Sequence, residues 1–274
     1  MHTRHRKTGR WIILTALSGL LLVSLPGVAA RAQAPSGQEI MKKQRDLQLG
    51  KDEDETQRMT LINKNGESKQ RKVARLTMTN QQDLSKILIR FLAPRDVENT
   101  ALLTWEAKDG NDDQWYYLPA ARKTKRIASS GKKNKFAGTD FAFEDLRPEN
   151  LSVHTYNLVG SEALEGQDCF VIEALPANEK EASESGYSKR KLWIRSDIYY
   201  TVKREFYNKK DQVEKVQTDR NLVNVKGTIW RANEIEMHDV QAGTKTVVVI
   251  EARSVEKGLK DSQFTESELE KGGE

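Results

Sequence analysis

From Thr56 onward the chain alternates apolar and polar residues with a period of two. Met59 and Leu61 alternate with Arg58 and Thr60, and a return run sets Ala74, Leu76 and Met78 against Val73, Arg75 and Thr77. Between them, Asn65-Gly66 is the strongest short hairpin signal a sequence offers. Ile87, Ile89 and Phe91 repeat the alternation as far as Pro94. Ala101, Leu103 and Trp105 follow, and after Gly110 comes the aromatic run Gln114 to Leu118, ended by Pro119. This pattern predicts an antiparallel meander whose strands have one apolar and one polar face.

A second set of runs begins after Leu146. The expected strands are Thr155 to Val159, Asp168 to Ala174, Lys189 to Arg195, Thr201 to Tyr207, Val213 to Asp219, Ile229 to His238 and Thr244 to Val255. Gly160, Gly166, Gly186, Gly227 and Gly243 punctuate them, and a polar, acidic loop is expected between Ala177 and Gly186. Two short helices frame the strands. Ser36 and Glu39 fit a capping box ahead of Ile40, Met41 and Leu47; near the C-terminus Thr265 and Glu268 repeat it, with Phe264 positioned to staple to Leu269. Lys51 to Glu55 reads as a charged link. Roughly ten to twelve strands with few helices imply one large curved antiparallel sheet, because a sheet that wide curls.

The N-terminus changes the picture. Arg4, Arg6, Lys7 and Arg10 precede the apolar run Trp11 to Val23, and Ala30-Arg31-Ala32 offers a small-residue cleavage site. The run is shorter than the roughly 20 residues a spanning helix needs, so residues 1–32 read as a secretory signal peptide and residues 33–274 as a single domain. The full chain carries a net charge of +5. Arg4, Arg6, Lys7, Arg10 and Arg31 account for all of it, and no acid lies among residues 1–32, so the exported chain is neutral. That removes the argument for nucleic acid. Cys169 is the single cysteine, which excludes an intrachain disulfide, a cysteine-based metal site and a lipid-anchoring cysteine near the cleavage site.

Catalytic signals are weak. His154 and His238 are the only histidines outside the leader, and neither has a partner at ligand or triad spacing. Adjacent carboxylates at Asp112-Asp113 and Glu144-Asp145 read as solvated turns. No cofactor or metal is expected. Two other features invite function. Apolar strand residues, namely Met59, Leu61, Leu76, Ile87, Ile89, Phe91, Leu103, Trp105, Trp115, Tyr117 and Trp193, are candidates to line an interior cavity for an acyl chain. A basic, flexible loop offers Arg122, Lys123, Arg126, Lys132, Lys133 and Lys135 as contacts for lipid head groups or an acidic partner.

Several strings carry a family resemblance: Phe91-Leu92-Ala93-Pro94-Arg95-Asp96, Ala101-Leu102-Leu103, Asp113 to Pro119, Phe136-Ala137-Gly138-Thr139-Asp140-Phe141, Phe143-Glu144-Asp145-Leu146 and Gly186-Tyr187-Ser188-Lys189. With Leu192-Trp193-Ile194, Glu205-Phe206-Tyr207 and Phe264-Thr265, they resemble the outer membrane lipoprotein-sorting protein family, LolA-like proteins found with RND/MMPL-type exporters. The resemblance spans about Glu39 to Leu269. It implies an unclosed LolA/LolB-like β-barrel lidded by a few short helices, and a monomeric, non-enzymatic periplasmic carrier. Its partners would be lipid or lipoprotein acyl chains, an inner-membrane exporter of RND/MMPL type, and the membrane in passing. A non-carrier adaptor of such a transporter and a secreted hydrolase stay open as alternatives.

Overall fold

Alternating positions build a single antiparallel sheet of thirteen strands. The structure, a computed structural model, describes residues 1–3, 9 and 34–272. The strands are β1 (Asp52–Ile62), β2 (Ser68–Thr79), β3 (Ser85–Ala93), β4 (Ala101–Trp105), β5 (Asp113–Leu118), β6 (Lys123–Arg126), β7 (His154–Leu164), β8 (Gln167–Pro176), β9 (Lys189–Arg195), β10 (Tyr200–Tyr207), β11 (Val213–Lys226), β12 (Ile229–Asp239) and β13 (Thr244–Val255). The chain divides into two compact units, Met1–Ala34 and Pro35–Glu274, and the sheet belongs to the second. The expected signal peptide lies almost wholly outside the described residues.

The order in the sheet is β6-β5-β4-β3-β2-β1-β13-β12-β11-β10-β9-β8-β7. Two meanders therefore meet at the β1–β13 pair, where Met59 lies opposite Val248. The chain leaves the first meander at one edge and enters the second at the other, so residues 127–153 must cross the whole sheet. Ile89 on β3 and Arg204 on β10 line one cavity although six strand spacings separate them. In a flat sheet that distance would be about 29 Å. The sheet is curled around the crossing segment without closing.

Three short helices cover it. α1 (Gly37–Gln48) has the expected capping box: Glu39 N donates to Ser36 Oγ at 3.2 Å and Ser36 N to the Glu39 carboxylate at 2.7 Å. Its Ile40 and Met41 bury against Tyr156, Ile172, Ala174, Leu192 and Ile194 on the inner face of β7 to β9. α2 (Glu179–Glu184) replaces the expected acidic loop, with Asn178 capping the N–H of Glu181. α3 (Glu266–Glu270) lies on the outer face near β4 to β6, where Phe264 and Leu269 are fully buried beside Leu88, Leu103 and Trp115. Arg90 donates to the carbonyls of Glu268 and Leu269, holding the last turn of α3 to β3.

Two segments depart from the sequence pattern. The expected charged link at Lys51 to Glu55 is the first half of β1. Its acids are tolerated in a strand because Glu53 and Glu55 turn inward to Arg231 and Arg253. The expected flexible basic loop contains β6, which pairs Lys123 with Leu118 and Arg126 with Trp115.

Candidate functional site

The crossing segment forms a lid over the concave face, and its sequence explains how. Ala137 and Gly138 both take positive φ, 47° and 74°, a reversal that glycine adopts without strain. Thr139 Oγ1 donates back to Phe136 O at 2.8 Å, tightening the turn. Asp140 then anchors it to β13, accepting from Thr246 Oγ1 at 2.8 Å and Thr244 Oγ1 at 2.5 Å. The reversal drives Phe136 and Phe141 into the core formed by Met59, Val73, Ile89, Phe91 and Val248. Phe136 stacks on Phe91 and meets Tyr116 and Phe143 edge-on.

Farther along, the lid is held by ionic and polar contacts to the second meander. Glu144 accepts from Ser185 Oγ and Gly186 N, both at 2.8 Å. A Cβ at Gly186 would stand 2.9 Å from that carboxylate, so a larger residue would push the Glu144 carboxylate aside. Asp145 accepts from Tyr187 Oη at 2.8 Å and from Lys215 Nζ at 3.3 Å. Arg147 donates to the buried Asp112 at 2.8 Å. Glu149 is gripped by Arg190 and receives the Tyr156 hydroxyl at 2.5 Å. Glu144 and Asp145, expected in a solvated turn, are thus fasteners, because the crossing carries them onto hydrogen-bond donors of other strands; Asp112 is buried as well, while Asp113 stays partly exposed beside Arg126. Burial pushes Glu144 above the usual carboxylate range, and the neighbouring Asp145 adds to it.

Beneath the lid lies a cavity of about 340 Å³. One end is apolar, formed by Met59, Ile89, Phe136, Phe141, Leu146, Ile235, Val248 and Ile250. The other end is charged. Glu53, Glu55, Gln57, Gln217 and Asp219 are all buried there, facing Arg75, Arg147, Arg204, Arg231 and Arg253. A smaller cavity of about 170 Å³ adjoins it, sharing Asp145, Arg147, Arg204 and Gln217, and is bordered by His154, Glu149 and Arg190. Burial, with Arg190 adding to it, depresses His154 to about 4, and its Nδ1 has no hydrogen-bond partner among the described residues.

The structure sorts the expected cavity residues by face. Met59, Leu61, Ile87, Ile89 and Phe91 belong to the inner-face core, and Met59 and Ile89 border the cavity itself. Leu76, Leu103, Trp105, Trp115 and Tyr117 lie on the opposite face, in the cluster sealed by Phe264 and Leu269. Trp193 is also outside, buried with Cys169 and Val171. Both faces of β3 to β5 are apolar because both are covered, the inner by the lid and the outer by the C-terminal segment.

The basic candidates are corrected more sharply. Lys132 is buried and spans Asn111 and Glu181, both at 3.1 Å. Lys135 is paired with Asp140 and Asp239 at 3.2 and 2.9 Å, and Arg126 is paired with Asp113. Arg126 and Lys135 are nonetheless exposed, as are Arg122, Lys123 and Lys133. The charged end of the cavity was missed, yet its signal was present. Extending the period of two back from Met59 places Gln57, Glu55 and Glu53 on the same face. Among the described residues there is no group of three or more His, Cys, Asp or Glu suited to a metal ion, and no helix long and apolar enough to cross a membrane.

An unclosed antiparallel barrel with a helical cover and an internal cavity is the LolA-like architecture, and comparison with known proteins agrees. A LolA superfamily protein from Nitrosomonas europaea shares the fold, with a TM-score of 0.66 at 18% identity over 86% of this chain and 100% of that one. An outer membrane lipoprotein-sorting protein domain from Vibrio parahaemolyticus is 33% identical, with a TM-score of 0.81 over 85% of this chain and 98% of that one. A DUF1329 family protein from Desulfovibrio piger is 26% identical, with a TM-score of 0.79 over 85% and 97%. A family model described as "Uncharacterized protein" matches residues 83–271. No curated protein matches the chain. The chain belongs to the outer membrane lipoprotein-sorting protein family.

Proposed function

We propose that this chain is a non-enzymatic periplasmic carrier that shields an acyl chain during transfer toward the outer membrane. The observation that carries the reading is the cavity between lid and sheet, with an apolar end formed jointly by both. Its volume of about 340 Å³ sits near the small end of ligand pockets, which run roughly 300–1,000 Å³. Each methylene buried at the apolar end gains about 0.8 kcal/mol, before the cost of immobilising the chain. A lipoprotein anchor with several chains would require the lid to lift. Export by the expected signal peptide puts the carrier between the membranes, and an inner-membrane RND/MMPL-type exporter is the proposed donor. The exposed Arg122, Lys123, Lys125 and Lys133 are available to touch an anionic surface.

Native mass spectrometry of the protein purified from its own periplasm tests the reading. Protein carrying a lipid or acylated peptide, lost when Ile89 or Val248 is replaced by Asp, is the expected result. Protein that emerges empty and takes up no alkyl probe in solution would overturn it.

A further inference from the structure

The carrier reading leaves the charged end of the cavity unexplained. An alkyl chain offers no partner to a guanidinium, and burying ions is unfavourable unless each is paired. Three of the five arginines are well paired, Arg147 through Asp112 at 2.8 Å. Arg253 donates to Glu55, Asn233 and the carbonyl of Ala232, at 2.7, 2.8 and 2.7 Å. Arg231 donates to Glu53 and to the carbonyls of Gln48 and Trp230.

Arg75 and Arg204 are different. Arg75 approaches Glu55 only to 3.7 Å and Arg204 approaches Asp219 only to 3.5 Å, at or beyond the limit of a hydrogen bond. Each carboxylate they face already accepts two shorter hydrogen bonds. Glu55 accepts from Arg253 and from Gln57 Nε2 at 2.7 Å. Asp219 accepts from Gln217 Nε2 at 2.7 Å and Tyr200 Oη at 2.9 Å. Arg204 Nη1 is buried with no hydrogen-bond partner among the described residues, and so is Thr77 Oγ1. Arg75 and Thr77 stand two residues apart on β2, facing inward, and all three side chains border the one cavity. A guanidinium is a rigid fork of donors matched to the two oxygens of a carboxylate or phosphate. Arg75 keeps 31% of its side chain exposed, so the buried donors left unsatisfied are Arg204 Nη1 and Thr77 Oγ1, and these are destabilising until an acceptor arrives.

We infer that Arg75 and Arg204 form an oxyanion subsite for the carboxylate or phosphate head of a single-chain amphiphile. The tail points to the apolar end at Ile89, Phe141 and Val248. The inference rests on the carrier reading for the tail and adds the head, so the cavity selects an anionic amphiphile and fixes its direction.

The test titrates the purified protein with dodecanoic acid, dodecyl phosphate, dodecanol and inorganic phosphate, following tryptophan fluorescence and heat. The acid, the phosphate ester or both should bind at least tenfold more tightly than the alcohol. Arg75→Met and Arg204→Met should each remove that preference, lowering affinity for the anionic probe to that for dodecanol. Arg75→Lys and Arg204→Lys keep the charge but not the fork, and serve where a Met variant does not fold; each should lose most of the preference. Whichever amphiphile shows the preference assigns the head-group chemistry. Equal affinity for alcohol and acid, or a preference that survives the arginine variants, overturns the subsite and leaves the carrier reading standing. Inorganic phosphate binding as tightly as dodecyl phosphate would mean a site for free anions and also overturns it. If no dodecyl probe binds, the carrier reading fails and takes the subsite with it.

Discussion

Arg190 on β9 clamps Glu149 of the lid with two parallel hydrogen bonds of 2.9 and 2.7 Å. The pair joins the end of the crossing segment to the second meander, and the Tyr156 hydroxyl completes it. Burial alone would raise the Glu149 carboxyl, but the charge and hydrogen bonds of Arg190 prevail and hold it at about 2. Removing one partner strands the other in a partly desolvated seam. Arg190→Met should therefore cost about 2–3 kcal/mol in urea unfolding. Hydrogen exchange should quicken first in residues 143–153, before the β1–β13 core. Uniform loss of protection over the whole sheet would show that the pair stabilises the fold at large and does not latch the lid.

Acid should loosen the same corner, and His154 sets where it begins. Its folded value of about 4 lies below the ordinary 6.5. The unfolded chain therefore binds the proton more readily, and stability is full above pH 6.5 and falls as pH drops toward 4. At pH 5 the loss is at most about 2 kcal/mol. Glu149 adds a second loss below pH 4.5, as its carboxylate is protonated on the way down to about 2. His154→Gln should flatten thermal stability between pH 6.5 and 4.5 and leave the steeper decline below it. An unchanged slope in the upper window would assign that dependence to other groups.

Neighbouring lysines should behave in opposite ways. Lys132 and Glu181 are both buried and paired at 3.1 Å, whereas Lys133 is exposed. Lys132→Met should destabilise by about 3 kcal/mol by leaving a buried carboxylate unpaired. Lys133→Met should leave the melting temperature unchanged and weaken binding to anionic vesicles at low salt, if the exposed part of the basic segment meets membranes. Vesicle binding unaffected by Lys133→Met combined with Lys123→Met would show these residues to be merely solvated.

The two faces of the first meander can be separated by mutation. Phe264 is fully buried on the outer face and its carbonyl accepts the Trp105 indole N–H at 2.8 Å. Phe264→Ala should cost about 3–5 kcal/mol and leave dodecanoic acid affinity within twofold. Val248→Asp, on the inner face, should abolish that affinity. A matching affinity loss in both variants would mean that the outer cluster sets the shape of the cavity.

The period-two alternation, the glycine and asparagine turns and the capping box at Ser36 determined the architecture: antiparallel strands in two sets, a short helix at each end, and a sheet too wide to stay flat. These are local signals, each written within a few residues, and β9 and β13 came out with the bounds the alternation set. Which face is inside was not local. Ile89 and Leu103 are equally apolar, and only the path of residues 127–153 over one face and of Phe264 to Leu269 over the other tells them apart. The charged end of the cavity was hidden for the same reason. Glu53 and Arg231 lie 178 residues apart in the chain, and an acidic run reads as solvated until a distant strand supplies its counter-charges. Lys132 shows the converse: a basic cluster reads as exposed until α2 brings Glu181 over it. The sequence alone determines elements whose stability is settled among near neighbours. The placement of charges depends on pairing across the sheet, and only the tertiary structure decides it.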